Sequence, residues 1–333
     1  MNNTGYPILK VSNLSKHYEV SNSWLSWLGQ KQKTTIRAID GIDFELGKGE
    51  ILGLVGESGS GKSTTALTTM GLVTPTTGEV TFNGVNIHSI KNRTQLRQSI
   101  QMVFQDPYEA LNPRQTVYQI VVEPLEVHKM AHSRSEKLEQ VKFALDQAGL
   151  KPPDNFLNRY PDELSGGQRQ RVIIAGALIL RPQILIADEP VSMLDVSIRA
   201  EILNLLKSLR EKHNISILYI THDLATAAFF TDRIAVMYLG KIIEIGTTQD
   251  ILQNPQHPYT KALISVIPVP NPRLRRKREI LQGEIPNPGN IPSGCRFHPR
   301  CPIAINQCKA VSPLLEPVTA YHQSACINKS NSS

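Results

Sequence analysis

Cysteine is missing from the first 294 of the 333 residues; all four, Cys295, Cys301, Cys308 and Cys326, fall in the last 40. A disulfide framework for the body of the chain is thereby excluded, and the clustering asks for a local explanation. Long apolar runs are missing too. The stretch "VIIAGALIL" at 172–180 is cut off by Arg181 and Pro182, well short of the ~20 residues that a membrane-spanning helix needs. The chain is therefore not expected to cross a bilayer by itself. Its first residues, "MNNTGYPILKV", lack the basic, then apolar, then small-residue order of a secretory signal, so no export is expected.

What is present is ordinary for a globular protein. Hydrophobic residues make up 40% and charged residues 20%, which argues against global disorder. The length suits one large domain with appendages or two ordinary domains. A net charge of +7 fits a nucleic acid, an anionic membrane surface or a bound nucleotide equally well, so charge alone selects no function.

Along the chain, residues 8–54 read as short strands with alternating β-branched residues, "GKGE" supplying a turn. Between them "SNSWLSWLGQKQK" carries both tryptophans, Trp24 and Trp27, either as a hairpin tip packed on the body or as an exposed apolar contact for a membrane-embedded partner. "KSTTALTTMGLV" then reads as a helix and "GEVTFNGVNI" as a return hairpin. Residues 94–170 are mostly helical in period, with Gly149 a stop signal after "EKLEQVKFALDQA". From 165 onward helix and strand alternate, through "GGQRQRVIIAGALIL", "ILIADEP", "IRAEILNLLKSLREKH" and "ISILYITHD". That alternation predicts an α/β fold with a parallel sheet, and apolar runs without two-fold alternation predict strands buried on both faces. Residues 266–294 are rich in proline and carry the basic run "RLRRKR", as a linker would.

Phosphate chemistry is written into "GESGSGKST" at 56–64, which follows an apolar strand and opens a helix. Its glycines let successive N–H groups and a helix N-terminus face phosphate oxygens. Lys62 would reach the β and γ phosphates, and Ser63 would ligate Mg2+. "ILIADEP" ends a strand in two carboxylates: Asp188 suits the Mg2+ shell, and Glu189 suits the base that activates a water aimed at the γ phosphate. His222, just past another strand, could hold that phosphate and water. Gln105 in "MVFQDP" could touch the metal or the water. The segment "DELSGGQRQRV" offers a second cradle of N–H groups with no lysine beside it.

Five segments in order, "GESGSGKST", "VFQDP", "LSGGQ", "ILIADEP" and "ITHD", resemble the ATP-binding subunits of ABC transporters over residues 8–265. The resemblance implies a P-loop NTPase (RecA-like) core with an antiparallel β subdomain and a helical subdomain at about 94–170. It also implies that two such domains stack head to tail, each lending its LSGGQ turn to the other's triphosphate, which accounts for the second cradle. By position, Tyr18 resembles the aromatic that stacks on adenine. Gly56, Glu57, Ser58, Gly59, Ser60, Gly61, Lys62, Ser63 and Thr64 resemble the phosphate loop, and Ser165, Gly166, Gly167 and Gln168 the clasp on the partner's nucleotide. Gln105 resembles the sensor of Mg2+ and of the membrane subunit, Asp188 the Mg2+ carboxylate, Glu189 the general base, His222 the switch histidine and Asp195 a further nucleotide contact. Met193 and Gly176 depart from the alanine and arginine common in the family.

A narrower resemblance, to ATPases of oligopeptide and dipeptide importers and in particular their F-type subunit, rests on the tryptophan-bearing insertion, on "FQDPYEALNPRQTV" and on "NPQHPYTKALISVIPVPNP" before the cysteines. It implies ATP and Mg2+ as cofactors, a homologous ATPase partner, two membrane-spanning permease subunits, an extracytoplasmic peptide-binding protein, and a peripheral place on the cytoplasmic face of the inner membrane. Relatives handling nickel or cationic peptides share the "QHPYTKALI" signature. A soluble ABC-type ATPase acting on nucleic acid or ribosomes is the alternative; one cassette and no heptads argue against it, and no nucleic-acid partner is expected. The cysteine module at 295–333 is spaced C-x5-C-x6-C-x17-C. Disulfides are disfavoured in reducing cytosol. Three readings stay open: a [4Fe–4S] cluster, to which the importer-type tail points, a zinc site without the usual C-x2-C pairs, or free thiols.

Overall fold

The computed structural model describes residues 6–21, 33–267, 283 and 286–328. Trp24, Trp27 and the run "RLRRKR" lie outside the described residues. The strands in chain order are β1 (Leu9–Ser21), β2 (Lys33–Leu46), β3 (Ile51–Val55), β4 (Thr77–Phe82), β5 (Val85–Asn86) and β6 (Ile100–Val103). They continue with β7 (Ile184–Asp188), β8 (Ser216–Thr221), β9 (Arg233–Tyr238), β10 (Lys241–Thr247), β11 (Glu316–Thr319) and β12 (His322–Ser324). Two compact units form. One comprises Leu9–Glu45, Leu52–Asn86 and Thr221–Ser333 and is called the loop unit here because it carries residues 56–64; the other, Met1–Ile8, Leu46–Ile51 and Ile87–Ile220, is the helical unit.

In the loop unit, β2, β1, β4 and β5 lie in that order, β4 running antiparallel to both β1 and β5, with Leu9 facing Phe82 and Val11 facing Val80. β1 and β2, expected to be short, run to 13 and 14 residues and bury Leu14 and Ile39 near their middles. Parallel pairing sets β3 beside β9, Leu52 to Arg233 through Val55 to Val236. From β9 the sheet continues antiparallel through β10 and β12 to β11. The sheet of this unit is thus mixed rather than purely parallel, and the C-terminal strands extend it. Tyr238, Tyr259 and Phe297 are among its largest fully buried side chains.

The helical unit holds β6, β7 and β8 in parallel register, Ile100 against Ile184 and Ile184 against Ser216. Every residue of β7 and β8 is buried, which is why "ILIAD" and "SILYIT" show no two-fold alternation. Local chemistry starts the helices. Asn92 caps Arg93–Ser99, Thr116 and Gln119 make a reciprocal capping box on Val117–Val127, and Ser133 caps Arg134–Gln147. Gly149, at φ 79°, follows the end of that last helix as the sequence predicts, its N–H bonding Asp146 O at 2.9 Å. The helices Gly166–Leu178 and Val196–His213 carry the remaining apolar stripes. Among the described residues no helix is long and apolar enough to cross a membrane.

Candidate functional site

In the loop unit the fully buried β3 delivers the chain into the turn at 56–61, and the helix Lys62–Thr69 begins at once. Two glycines are forced. A Cβ on Gly56 would stand 2.2 Å from Met237 O, and one on Gly61 would stand 2.1 Å from Ala38 O, with Gly61 at φ 107°. The Lys62 ammonium is drawn into the loop: Nζ donates to Gly56 O at 2.7 Å and to Glu57 O at 2.9 Å, and the residue is only 6% exposed. A cation held over backbone at a helix N-terminus is the donor set that a polyphosphate needs. The Ser60 hydroxyl is buried with no partner, a donor available to an added oxygen. Ser63 is exposed at the first turn of the helix, Thr64 is half-buried, and Ser58 and Gly59 are exposed on the turn.

His222, exposed, sits one residue beyond β8, and the carbonyl before it, Thr221 O, accepts the Gly56 N–H at 3.4 Å. That bond puts the histidine's backbone beside the start of the loop. Tyr18, on β1, is 38% exposed, with the Lys16 ammonium 4.9 Å from its ring centroid.

The helical unit holds the carboxylates. Asp188 closes β7 and is 7% exposed. Glu189 takes φ 46°, a left-handed backbone rarely used by residues with a side chain, and its N–H bonds Ile220 O at 2.8 Å. Gln105, exposed just past β6, reaches the Glu189 carboxylate with Nε2 at 3.3 Å from Oε2. The structure thus brings together two residues 84 positions apart that sequence reasoning picked separately.

At the head of the helix Gly166–Leu178, Ser165 and Gln168 cap each other: Ser165 Oγ accepts the Gln168 N–H at 3.3 Å, and Gln168 Oε1 accepts the Ser165 N–H at 3.0 Å. A Cβ on Gly167 would meet Ile198 Cγ2 at 2.6 Å, so this glycine lets two helices approach closely. Arg169 stacks over the Tyr108 ring at 4.3 Å, tying this turn to the segment after Gln105. Asp195 is exposed and caps Val196–His213 without a side-chain bond. Met193 is 58% exposed, and a Cβ on Gly176 would meet nothing within 4 Å.

The described cysteines are placed without a visible metal-holding arrangement. Among the described residues no group of three or more His, Cys, Asp or Glu side chains is placed to hold a metal ion, and all four cysteines are free thiols. Burial raises the thiols of Cys295, Cys301 and Cys326, the last to about 11. The four are near enough to act on one another electrostatically, yet Cys326 Sγ is turned to the backbone, 3.3 Å from Asn328 O. Neither the iron–sulfur cluster nor the zinc site is supported by this arrangement.

Sequence reasoning missed two contacts on the loop. Tyr259 Oη accepts the Glu57 N–H at 3.0 Å, and Arg300 pairs with the Glu57 carboxylate at 2.7 Å. Tyr259 lies inside "QHPYTKALI", a signature already visible, but nothing in the sequence says what it touches.

Comparison with known proteins agrees with this geometry. The family model for ABC transporters matches residues 39–192, and that for the oligopeptide/dipeptide transporter C-terminal region matches 243–308. The oligopeptide transport ATP-binding protein AppF of Bacillus subtilis is 45% identical over 324 residues, 96% of each chain. OppF of Salmonella typhimurium, an oligopeptide transport ATP-binding protein, is 46% identical over 313 residues, 93% of this chain and 92% of that one. Among solved structures, cbiO1 of Clostridium perfringens, part of the ABC transporter complex cbiONQ, superposes with a TM-score of 0.64 at 31% identity, over 75% of this chain and 92% of that one. The cassette MJ0796, a dimer bound to ADP and Pi in a post-hydrolysis state, gives 0.62 at 31% identity, over 72% and 98%. The chain belongs to the ATP-hydrolysing, ATP-binding subunits of ABC transporters, in the branch whose C-terminal region is that of oligopeptide/dipeptide transporters.

Proposed function

We propose that this subunit hydrolyses ATP to drive import of dipeptides or oligopeptides, working with a homologous ATPase, two permease subunits and an extracytoplasmic peptide-binding protein from a peripheral place on the cytoplasmic face of the membrane. The observation that carries the nucleotide site is the buried Lys62 ammonium, held on Gly56 O and Glu57 O at the mouth of a helix. When triphosphate arrives, Lys62 exchanges those carbonyls for β and γ oxygens, and loop N–H groups from Gly56 to Thr64 take the rest. Tyr18 stacks on the base. Ser63, Asp188 and Gln105 suit a magnesium ion, being hydroxyl, carboxylate and amide oxygen donors. That ion would offset charge on the phosphates.

Glu189 accepts the proton of the attacking water and His222 orients that water on the γ phosphate. Support for the Glu189 role comes from its bond to Gln105, which links the carboxylate to the segment that follows β6. Ser165, Gly166, Gly167 and Gln168 serve the partner cassette's nucleotide rather than this chain's own, and Asp195 is a further nucleotide contact. The domain limits follow the same reading: a cassette over 8–265, a linker over 266–294, a cysteine-bearing tail beyond.

Glu189→Gln tests the chemistry. Turnover is expected to fall by about 10²–10⁴-fold with ATP binding retained and the paired, ATP-bound form accumulating. Turnover at the wild-type rate would remove Glu189 from the base role. For the tail the arrangement favours free thiols over the iron–sulfur cluster that the resemblance implies, and iron, sulfide and zinc analysis of protein purified without air checks it; stoichiometric metal would overturn it.

A further inference from the structure

The phosphate loop is gripped by the C-terminal part of the chain, at a residue for which the nucleotide site by itself has no use. Arg300 Nη1 lies 2.7 Å from Glu57 Oε2 and Nη2 3.0 Å from Glu57 Oε1, a two-pronged ion pair between side chains 7% and 24% exposed. The Glu57 N–H is held as well, by Tyr259 Oη. Arg300 also donates to Tyr238 Oη at 3.4 Å and lies 5.9 Å from that ring's centroid. Three residues earlier Phe297 plugs the same segment into the core, its ring 5.4 Å from Tyr238 and 5.5 Å from both Tyr259 and His257.

A second thread reaches the other end of the loop. Arg296 donates to Leu239 O and to the Asp40 carboxylate. The next residue, Gly240, gives its N–H to Ser60 O at 2.8 Å and accepts the Asp40 N–H at 2.9 Å. The five residues "RFHPR" at 296–300 therefore brace the loop at Glu57 directly and at Ser60 through the Leu239–Gly240 turn.

Charge explains why this matters. Glu57 is a carboxylate on the loop that receives a polyanion, and unpaired it would repel the phosphates it helps to surround. A forked guanidinium cancels that charge and fixes where the loop begins to curl. We infer that Arg300 is a positioning residue of the nucleotide site: acting through Glu57, it holds the phosphate loop ready for a triphosphate, which makes the C-terminal region a working part of ATP binding. This rests on the nucleotide-site reading above.

Arg300→Met and Arg300→Lys, each made alone and together with Glu57→Gln in the full-length protein with its companion subunits, test it. ATP affinity is read by equilibrium binding, and kcat and KM for ATP by steady-state hydrolysis. Arg300→Met is expected to weaken ATP binding on the order of tenfold, with the loss falling on KM rather than kcat, and Arg300→Lys should fall between it and wild type. Adding Glu57→Gln, which removes the charge Arg300 cancels, should recover most of what Arg300→Met loses. ATP bound by Arg300→Met as tightly as by wild type overturns the inference, and so does an equal loss in the Glu57→Gln background. If Arg300→Met does not accumulate as folded protein, Arg300→Lys decides by the same two comparisons. Lys62→Ala binding ATP as tightly as wild type would be a different result: it would strike the nucleotide-site reading, and this inference with it.

Discussion

The phosphate loop and the Gln105–Glu189 pair are built in opposite ways. Around the loop everything is closed: Lys62 is buried on two carbonyls, backbone oxygens press within about 2.2 Å of where side chains on Gly56 and Gly61 would begin, and Glu57 is held at both its carboxylate and its N–H. In the helical unit Gln105, Ser165 and Asp195 are exposed, and the bond from Gln105 to Glu189 is long, at 3.3 Å. The groups proposed to bind are closed in, whereas those proposed to act on the phosphate or to answer to a partner stand exposed. That division fits an enzyme whose chemistry waits on a second cassette, since a hydrolytic arrangement complete in one chain would waste ATP.

Variants can break the comparison from its strong end downward. Lys62→Ala should cost the loop about a hundredfold in ATP affinity, read by equilibrium binding, because it strips the charge-assisted contacts from the phosphates. Unchanged affinity would mean that the loop is not the site. Gly61→Ala should lower stability by about 3 kcal/mol or force the loop open, since its Cβ would sit on Ala38 O and its φ is left-handed. Gly59→Ala, left-handed too but with nothing within 4 Å, should cost only about 1 kcal/mol. Equal melting temperatures for the two would show that the loop is not closed as described.

The rigid unit should also respond to acid. Burial holds His257 neutral, its pKa lowered from 6.5 to about 4, with Glu244 opposing the shift. Because the unfolded chain binds the proton more readily, this stability is complete above pH 6.5 and is lost as the pH falls toward about 4, by about 3 kcal/mol at most. His257→Gln should flatten that stretch of a denaturant-midpoint profile. The smallest effect belongs to the helical unit: Gly176→Ala should stabilise the helix Gly166–Leu178 by up to about 1 kcal/mol, because its Cβ enters open space.

The sequence was most legible where chemistry is local. Strand, glycine turn and helix run without interruption from Ile51 to Thr69, and Ser165 with its two glycines leads straight into the helix Gly166–Leu178, so both could be read directly. Apolar runs without alternation announced the buried strands β7 and β8 correctly. Long-range pairing could not be read. Arg300 and Glu57 are 243 positions apart, and nothing in "FHPRC" distinguishes an arginine that grips the loop from one on the surface. For the same reason cysteine spacing could not decide between cluster, zinc and free thiols: separation along the chain says nothing of where Sγ atoms point, and Cys326 points at backbone.

The claim most in need of testing is that hydrolysis requires the signature turn of a second cassette. Turnover per chain, followed while the subunit and its companion ATPase are diluted together with the association state tracked by sedimentation, tests it directly. The account predicts that turnover falls in step with dissociation and that arginine in place of the companion's own signature serine abolishes it at this chain's site. Undiminished turnover by a chain shown to be alone would contradict it.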